Sequence, residues 1–486
     1  MSTTAVRPRF RSLRQVRHAL DTGQLTFEQL VQYYLHRIAT DNKRLNVFIE
    51  VFADEALRRA RQLDDRLQHE GLSALGPLAG MVVSLKDVLC FKDHQVTAAS
   101  RILDGFHSLF SATAVSRVLD ADAIIIGRVN CDEFAMGSST EYSYYGPTHN
   151  ALDPERVPGG SSGGSAVAVQ ADMCLASIGS DTGGSVRQPA AFCGVVGFKP
   201  SYGRISRHGL LAYASSFDQI GTLTHSAIDA ASLLSVMAGP DAYDATCSPQ
   251  PLPTFSDEAW ASVPQARIAW FAEALDHPGL DPRIAQLTRQ YLEGLRQKGH
   301  QLEAVSFDLI DYVVPAYYVL TTAEASSNLS RYDGVRFGWR HPQARSPEEV
   351  YTMTRTAGFG AEVKRRIMLG AFVLSAGYYD AYYGRAQKVR HLIVQRMAAL
   401  FERYDFIVMP TSPVLPWHLG QMNEDPTQMY LADIYTVLAN LAGLPAISLP
   451  AGQVEGLPIG VQFMAAPFRE KPLLEFAHSI LDRENA

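Results

Sequence analysis

Two glycine–serine runs lie twenty residues apart in an apolar part of the chain: Gly159-Gly160-Ser161-Ser162-Gly163-Gly164-Ser165 and Gly179-Ser180-Asp181-Thr182-Gly183-Gly184-Ser185. Glycine in regular structure costs about 0.5–1 kcal/mol relative to alanine. A chain that concentrates it twice in apolar surroundings needs bare backbone close to a neighbour. Glycines ahead of a serine also let the chain turn tightly and aim several backbone N–H groups at one point, as a developing oxyanion requires. The serines in the runs are therefore candidates for chemistry.

The sequence around the runs alternates between strand and helix patterns. Thr26 followed by Gln29 is a capping box, and Leu30, Val31, Tyr34, Leu35 and Ile38 continue as an apolar helical stripe. A second helix is predicted over 53–69. Short runs rich in Val and Ile at 78–88 and 123–127 read as strands, with a helical segment carrying Ala114, Val115, Val118 and Leu119 between them. Further strands are predicted at 194–198, 267–270, 406–409, 446–449 and 459–464. A long helical stretch is predicted over 362–401, with a break near Gly377. Alternating elements of this kind form an α/β layer arrangement around a buried sheet. The expected organisation is one large domain, with a helical segment over 1–75 packed on a catalytic core over 76–486. The Pro- and Ser-rich stretch 247–265 is short enough to be a surface excursion.

Composition narrows the function classes. Of the 486 residues 47% are hydrophobic and 19% charged, and the formal net charge is −7. That balance does not suit a chain that grips nucleic acid by itself, because phosphate contact needs a positive surface. The basic N-terminal residues are followed by no apolar stretch of signal-peptide type, and no uncharged apolar window reaches membrane-spanning length. The five cysteines, Cys90, Cys131, Cys174, Cys193 and Cys247, form no CxxC pair, which fits a reduced compartment. The expectation is a cytoplasmic protein with no metal site.

Among the residues that could do chemistry, Ser185 follows two glycines. A serine needs a proton acceptor to become a nucleophile, and none of the 14 histidines is singled out by its surroundings. Lys86 is singled out: it ends the apolar run Val82-Val83-Ser84-Leu85. A buried lysine is biased toward its neutral, basic form. The bland alternative is that Lys86 pairs with Asp87 or reaches solvent. Residues 159–163 also spell GxSxG, but Arg156-Val157-Pro158 is a poor lead-in strand for a nucleophile elbow, and no Asp and His stand out as partners. Neither run is followed by the lysine of a phosphate loop.

Lys86 and the two runs, in this order and content, resemble the amidase signature family. The resemblance implies an α/β/α domain whose mixed central sheet is covered by helices. It also implies a Ser–cis-Ser–Lys triad, with Ser185 as nucleophile, Ser161 as the bridging serine in a cis peptide, and Lys86 as base. The amides of Thr182, Gly183, Gly184 and Ser185 would form the oxyanion hole.

Within the family, several segments resemble the GatA branch, the glutamine-hydrolysing subunits of tRNA-dependent amidotransferases. They are 130–141 (NCDEFAMGSSTE), 326–334 (SSNLSRYDG), 366–370 (RIMLG), 375–380 (SAGYYD), 433–436 (DIYT) and 440–445 (NLAGLP). The likeness implies a glutamine pocket formed by Tyr317 (with Tyr318 as the neighbour that could take its place), Arg366 and Asp433. An arginine fork suits the α-carboxylate of glutamine and a carboxylate suits its α-ammonium. Without the likeness, Arg366 reads as a solvated member of a basic helical run and Asp433 as a helix cap. Arg128 and Cys131 depart from the lysine and methionine usual in this branch, and Tyr142 and Tyr144 make their segment unusually aromatic.

The implied partners are glutamine, GatB-like and GatC-like subunits, and Glu-tRNA(Gln) and/or Asp-tRNA(Asn) handled by them. No cofactor is expected on this chain, whereas ATP and Mg2+ are expected at the partner subunit. The competing readings are a stand-alone amidase acting on another small amide, and a catalytically silent scaffold.

Overall fold

The computed structural model describes residues 10–252, 254–255, 260, 265–422 and 426–482. The basic residues before position 10 lie outside the described residues, as do 253, 256–259 and 261–264 of the Pro- and Ser-rich stretch.

The strands are β1 (Phe48–Val51), β2 (Val82–Lys86), β3 (Ile124–Val129), β4 (Ala176–Asp181), β5 (Val196–Lys199), β6 (Gln219–Thr224), β7 (Arg267–Phe271), β8 (Gln301–Val305), β9 (Phe406–Pro410), β10 (Ala446–Val454) and β11 (Leu457–Met464). They form one 11-stranded sheet in the order β1-β3-β2-β4-β6-β5-β10-β11-β9-β7-β8. β2 runs parallel to β3 and β4, and β7 parallel to β8 and β9; the remaining pairings are antiparallel. Helices flank this mixed sheet to give an α/β/α domain.

Local chemistry explains the elements the sequence foretold. Thr26 Oγ1 accepts from the Gln29 amide and Gln29 Oε1 accepts from the Thr26 amide, both at 3.1 Å, so the capping box starts the helix Phe27–Leu45. That helix ends at Asn46, whose φ of +51° is the left-handed cap. The helical stretch predicted over 362–401 breaks as expected. Ala361–Val373 ends before Gly377, whose φ is +85°, and the chain resumes as a π segment, Asp380–Gly384, leading into Arg385–Arg403.

Four strands were not foreseen: β1, β4, β6 and β8. β4 runs into the second glycine–serine run, and Ala-Ser-Ile-Gly-Ser-Asp offers a single branched side chain, Ile178, among small and polar residues, too little to mark a strand. It is buried throughout and gains its strand geometry from β2 and β6 on either side. β1 places a strand within the first 75 residues, where only helix was expected.

β4 ends at Asp181 and the helix Arg187–Cys193 begins six residues later, so the intervening loop is the second half of the run. Both ends of that loop are charged and both are fully buried. Arg187 donates to Asp181 through Nε and Nη2, each at 3.0 Å. Its remaining N–H groups reach Thr436 O (2.9 Å), Gln462 Oε1 (2.8 Å) and Asn440 Oδ1 (2.7 Å), so all five guanidinium donors are used. Burial alone would raise the Asp181 carboxyl, but the Arg187 charge and these hydrogen bonds hold it well below the usual carboxylate range.

Removing one member of a buried pair leaves an uncompensated charge, at about 3–5 kcal/mol. Arg187→Met is therefore expected to lower stability by about that amount at neutral pH, read as a fall in the urea midpoint. Because the Asp181 pKa is depressed on folding, the pair's contribution in the parent protein is present above the ordinary Asp pKa. It is lost only in strong acid, as pH falls through the depressed value. An unchanged midpoint would show that the pair does not hold this loop.

Candidate active site

β2 and β4 are neighbouring parallel strands, with Leu85 opposite Ile178, so their carboxyl ends open on the same edge of the sheet. That edge is where α/β sheets form sites. Lys86 closes β2, and Ser180 and Asp181 close β4. The first glycine–serine run passes between them, just ahead of the helix Gly163–Gln170, which has no polar face and is buried nearly along its whole length.

Lys86 has no exposed surface. Its Nζ lies 2.7 Å from Ser161 Oγ, 2.9 Å from Ser162 Oγ and 2.9 Å from Ser180 Oγ. Neither bland reading of Lys86 holds. The Asp87 carboxylate is taken by Arg128, by Thr97 through its amide and hydroxyl, and by the Ala99 amide. Burial pushes the Lys86 pKa down from 10.5 to about 8, although Cys131, Asp132, Asp181 and Asp218 nearby each favour the charged form. Burial thus brings the neutral, proton-accepting form of Lys86 within reach near neutral pH.

The Gly160–Ser161 peptide bond is cis. The Gly160 amide donates to Gln188 Oε1 (2.9 Å), and Asp132 supports the same region by accepting from the Thr140 (2.9 Å) and Tyr142 (3.1 Å) amides. The two runs are joined directly: the Ser162 amide donates to Ser185 O (3.0 Å), and Ser162 Oγ to Ser180 O (3.1 Å). Ser185 keeps 8% of its surface exposed whereas Lys86 and Ser161 keep none, so only the candidate nucleophile meets the solvent side of the site.

The loop 182–186 departs from expectation at one position. The Gly184 amide donates to Asp181 Oδ1 at 2.9 Å, which withdraws Gly184 from the expected set of oxyanion donors. The reason is the short span of the loop: the Asp181 carboxylate that pairs with Arg187 also accepts from the amides of Gly184 and Val186. The amides of Thr182, Gly183 and Ser185 remain the candidates. Gly184 is required for another reason: its φ is +122°, and a Cβ there would collide with Thr436. Thr436 Oγ1 in turn donates to Gly183 O at 2.7 Å, and Thr182 Oγ1 to Asp218 Oδ1 at 2.7 Å.

The expected pocket residues converge on the same edge. Arg366 is not solvated but buried, because Glu362 one helical turn earlier accepts from its Nε (2.8 Å) and Tyr213 accepts from its Nη1 (2.8 Å). The rings of Tyr213, Tyr318 and Tyr430 lie 5.2–5.6 Å from the guanidinium carbon. Asp433 caps no helix with its side chain. Its carboxylate accepts from Ser138 Oγ at 2.9 and 2.8 Å and from the Tyr318 hydroxyl at 3.2 Å. Burial raises Asp433 to about 7 against the opposing effects of Ser138, Arg366 and Tyr318. The adjacent tyrosines divide: Tyr318 reaches Asp433, whereas the Tyr317 hydroxyl packs on Gly183, where any side chain would strike it.

Sequence reasoning missed Ser162, Ser180, Ser138, Gln188 and Tyr213. The first two were visible inside the runs but carried no mark distinguishing them from their neighbours. The Glu362–Arg366 spacing of four residues was a readable helical ion pair. Tyr213 had no local signal. Of the atypical positions, Arg128 pairs with Asp87 and Glu50, Cys131 is fully buried, and Tyr144 is exposed.

Among the described residues no group of three or more His, Cys, Asp or Glu side chains is placed to hold a metal ion. Nor, among them, is any helix long and apolar enough to cross a membrane.

Comparison with known proteins gives a consistent result. The family model described as Amidase matches residues 29–474. The glutamyl-tRNA(Gln) amidotransferase A subunit of Chlorobium phaeobacteroides is 48% identical over 477 residues, covering 97% of this chain and 100% of that protein. Its counterpart from Acidobacterium capsulatum is 48% identical over 463 residues, covering 95% and 97%. The crystal structure of the Thermotoga maritima counterpart superposes with a TM-score of 0.79 at 40% identity, covering 96% of this chain and 93% of that one. With its site geometry and these relatives together, the chain belongs to the Amidase family, in the branch formed by the glutamyl-tRNA(Gln) amidotransferase A subunits.

Proposed function

We propose that this chain hydrolyses glutamine and passes the ammonia to a partner that amidates a mischarged tRNA. One observation carries the substrate: Arg366 and Asp433 are both buried and share Tyr318, whose ring lies 5.2 Å from the guanidinium carbon and whose hydroxyl donates to the carboxylate. Asp433 is also joined through Ser138 and Gln188 to the Gly160 amide next to Ser161. A simple amide offers nothing to either charge, whereas free glutamine offers an α-carboxylate to one and an α-ammonium to the other. The names of the relatives support the tRNA-dependent reaction.

In this reading Ser185 Oγ attacks the side-chain carboxamide carbon while its proton passes through Ser161 to neutral Lys86. The amides of Thr182, Gly183 and Ser185 receive the oxyanion. The proton returns to the leaving nitrogen, ammonia departs, and water then cleaves the glutamyl ester to give glutamate. Ser162 and Ser180 hold the lysine amine in line with Ser161. ATP and Mg2+ belong to a GatB-like partner, braced by a GatC-like subunit, which handles Glu-tRNA(Gln) and/or Asp-tRNA(Asn). The acidic balance of this chain suits that division.

The assembled complex tests the reading. Ser185→Ala should abolish glutamine-dependent tRNA amidation, by at least about 10³-fold, and leave ammonia-dependent amidation intact. Loss of both in an intact complex would refute separate sites. The purified chain should also favour glutamine over a panel of simple amides; the reverse preference would support the stand-alone amidase.

The pH dependence follows from the base. Only neutral Lys86 accepts the proton, so kcat/KM for glutamine should rise with pH, about tenfold per unit, and level off above about 8. Loss of ionised Asp433 steepens the fall below about 7. A profile flat between pH 6 and 8 would exclude Lys86 as the base.

A further inference from the structure

Ser138 lies in the loop that follows β3, 295 residues from Asp433 in the chain, and its hydroxyl reaches both oxygens of that carboxylate at 2.9 and 2.8 Å. The loop has little freedom to move the hydroxyl away. Gln188 Nε2 donates to Ser138 O (3.0 Å), and Gln188 Oε1 accepts from the Gly160 amide. The Ser139 amide donates to Asp132 Oδ2 at 3.3 Å. Ser138 is 3% exposed and Asp433 is 7% exposed, so their contact is largely shielded from bulk water.

A receptor for an ammonium group must be ionised, and burial works against ionisation. The groups facing Asp433 come from four elements. Ser138 donates from the loop after β3, and Tyr318 donates from the helix Ile310–Asn328, beside Tyr317. Arg366, from Ala361–Val373, supplies positive charge, while Asp181, at the end of β4, opposes it. Arg366 is already engaged by Glu362 and Tyr213, and Tyr318 makes the longer contact. Ser138 is the donor whose one hydroxyl spans both oxygens.

We propose that Ser138 is a positioning residue that keeps Asp433 an ionised receptor for the substrate's α-ammonium and so sets selectivity for an amino acid over a plain amide. The proposal rests on the glutamine reading above and adds a residue to it. With Asp433 raised to about 7 in the parent protein, loss of the donor moves its titration higher still. The ionised fraction at neutral pH then falls, and returns as pH rises.

The test is binding to the full chain carrying Ser185→Ala, which blocks turnover, measured by calorimetry between pH 6 and 8.5. Two ligands are compared: L-glutamine, and glutaramate, which keeps the carboxylate and the amide but lacks the ammonium. Adding Ser138→Ala should weaken glutamine roughly five- to tenfold at pH 7, the effect of about one pH unit of titration, with the gap closing toward pH 8.5. Glutaramate should bind within about twofold of the parent at every pH. Ser138→Thr retains the hydroxyl and should restore glutamine binding and its pH profile. Equal weakening of both ligands, a glutamine loss that does not change with pH, or no loss at all would each overturn the proposal. Failure of Ser138→Thr to restore binding would do so too. A parent that binds glutaramate as tightly as glutamine would instead refute Asp433 as an ammonium receptor, and one that binds neither would refute the glutamine reading itself.

Discussion

The buried pair between Asp181 and Arg187 is the constraint on which the candidate site depends. It closes a six-residue span between the end of β4 and the start of a helix, with both charges fully out of water. In such surroundings an unpaired charge is far costlier than a paired one, so the geometry cannot relax without large loss. The same carboxylate also accepts from two loop amides, and the guanidinium reaches Thr436, Asn440 and Gln462. The candidate nucleophile loop is thereby tied to strand, helix and a segment about 250 residues downstream.

Two adjacent residues, Lys86 and Asp87, take opposite parts at the end of β2. Successive side chains at a strand end point to opposite sides, and here one enters a nest of hydroxyls while the other enters an ion pair with Arg128. Surrounding an amine with neutral donors and acceptors leaves burial as the leading influence on its pKa. A direct carboxylate partner would have kept the lysine charged and unable to take a proton. Arg128 thus contributes by occupying Asp87.

The layer architecture was readable where strands are rich in Val and Ile, as in β2 and β3, and where caps and breaks are chemical, as at Thr26 and Gly377. β4 was not readable, because its small residues owe their conformation to the strands on either side. The candidate site followed the same division. Lys86 and Ser185 stood out by their surroundings and Ser161 through the family resemblance, whereas Tyr213 and Gln188 carried no local mark and Ser138 lay in a segment that marked the branch but not its own contact.

By itself the sequence determined where the backbone must turn bare and tight, which serines stand at those turns, and that one lysine ends an apolar strand. Those properties are local, set by residue type and near-neighbour spacing. Only the tertiary structure decided that Lys86 meets three hydroxyls rather than Asp87, that the Gly184 amide is drawn to Asp181, and that Ser138 meets Asp433 across 295 residues. Each is a choice among hydrogen-bond partners inside a buried interior. There, most buried donors find an acceptor, and the one each finds depends on which distant segments the packed sheet brings within about 3 Å.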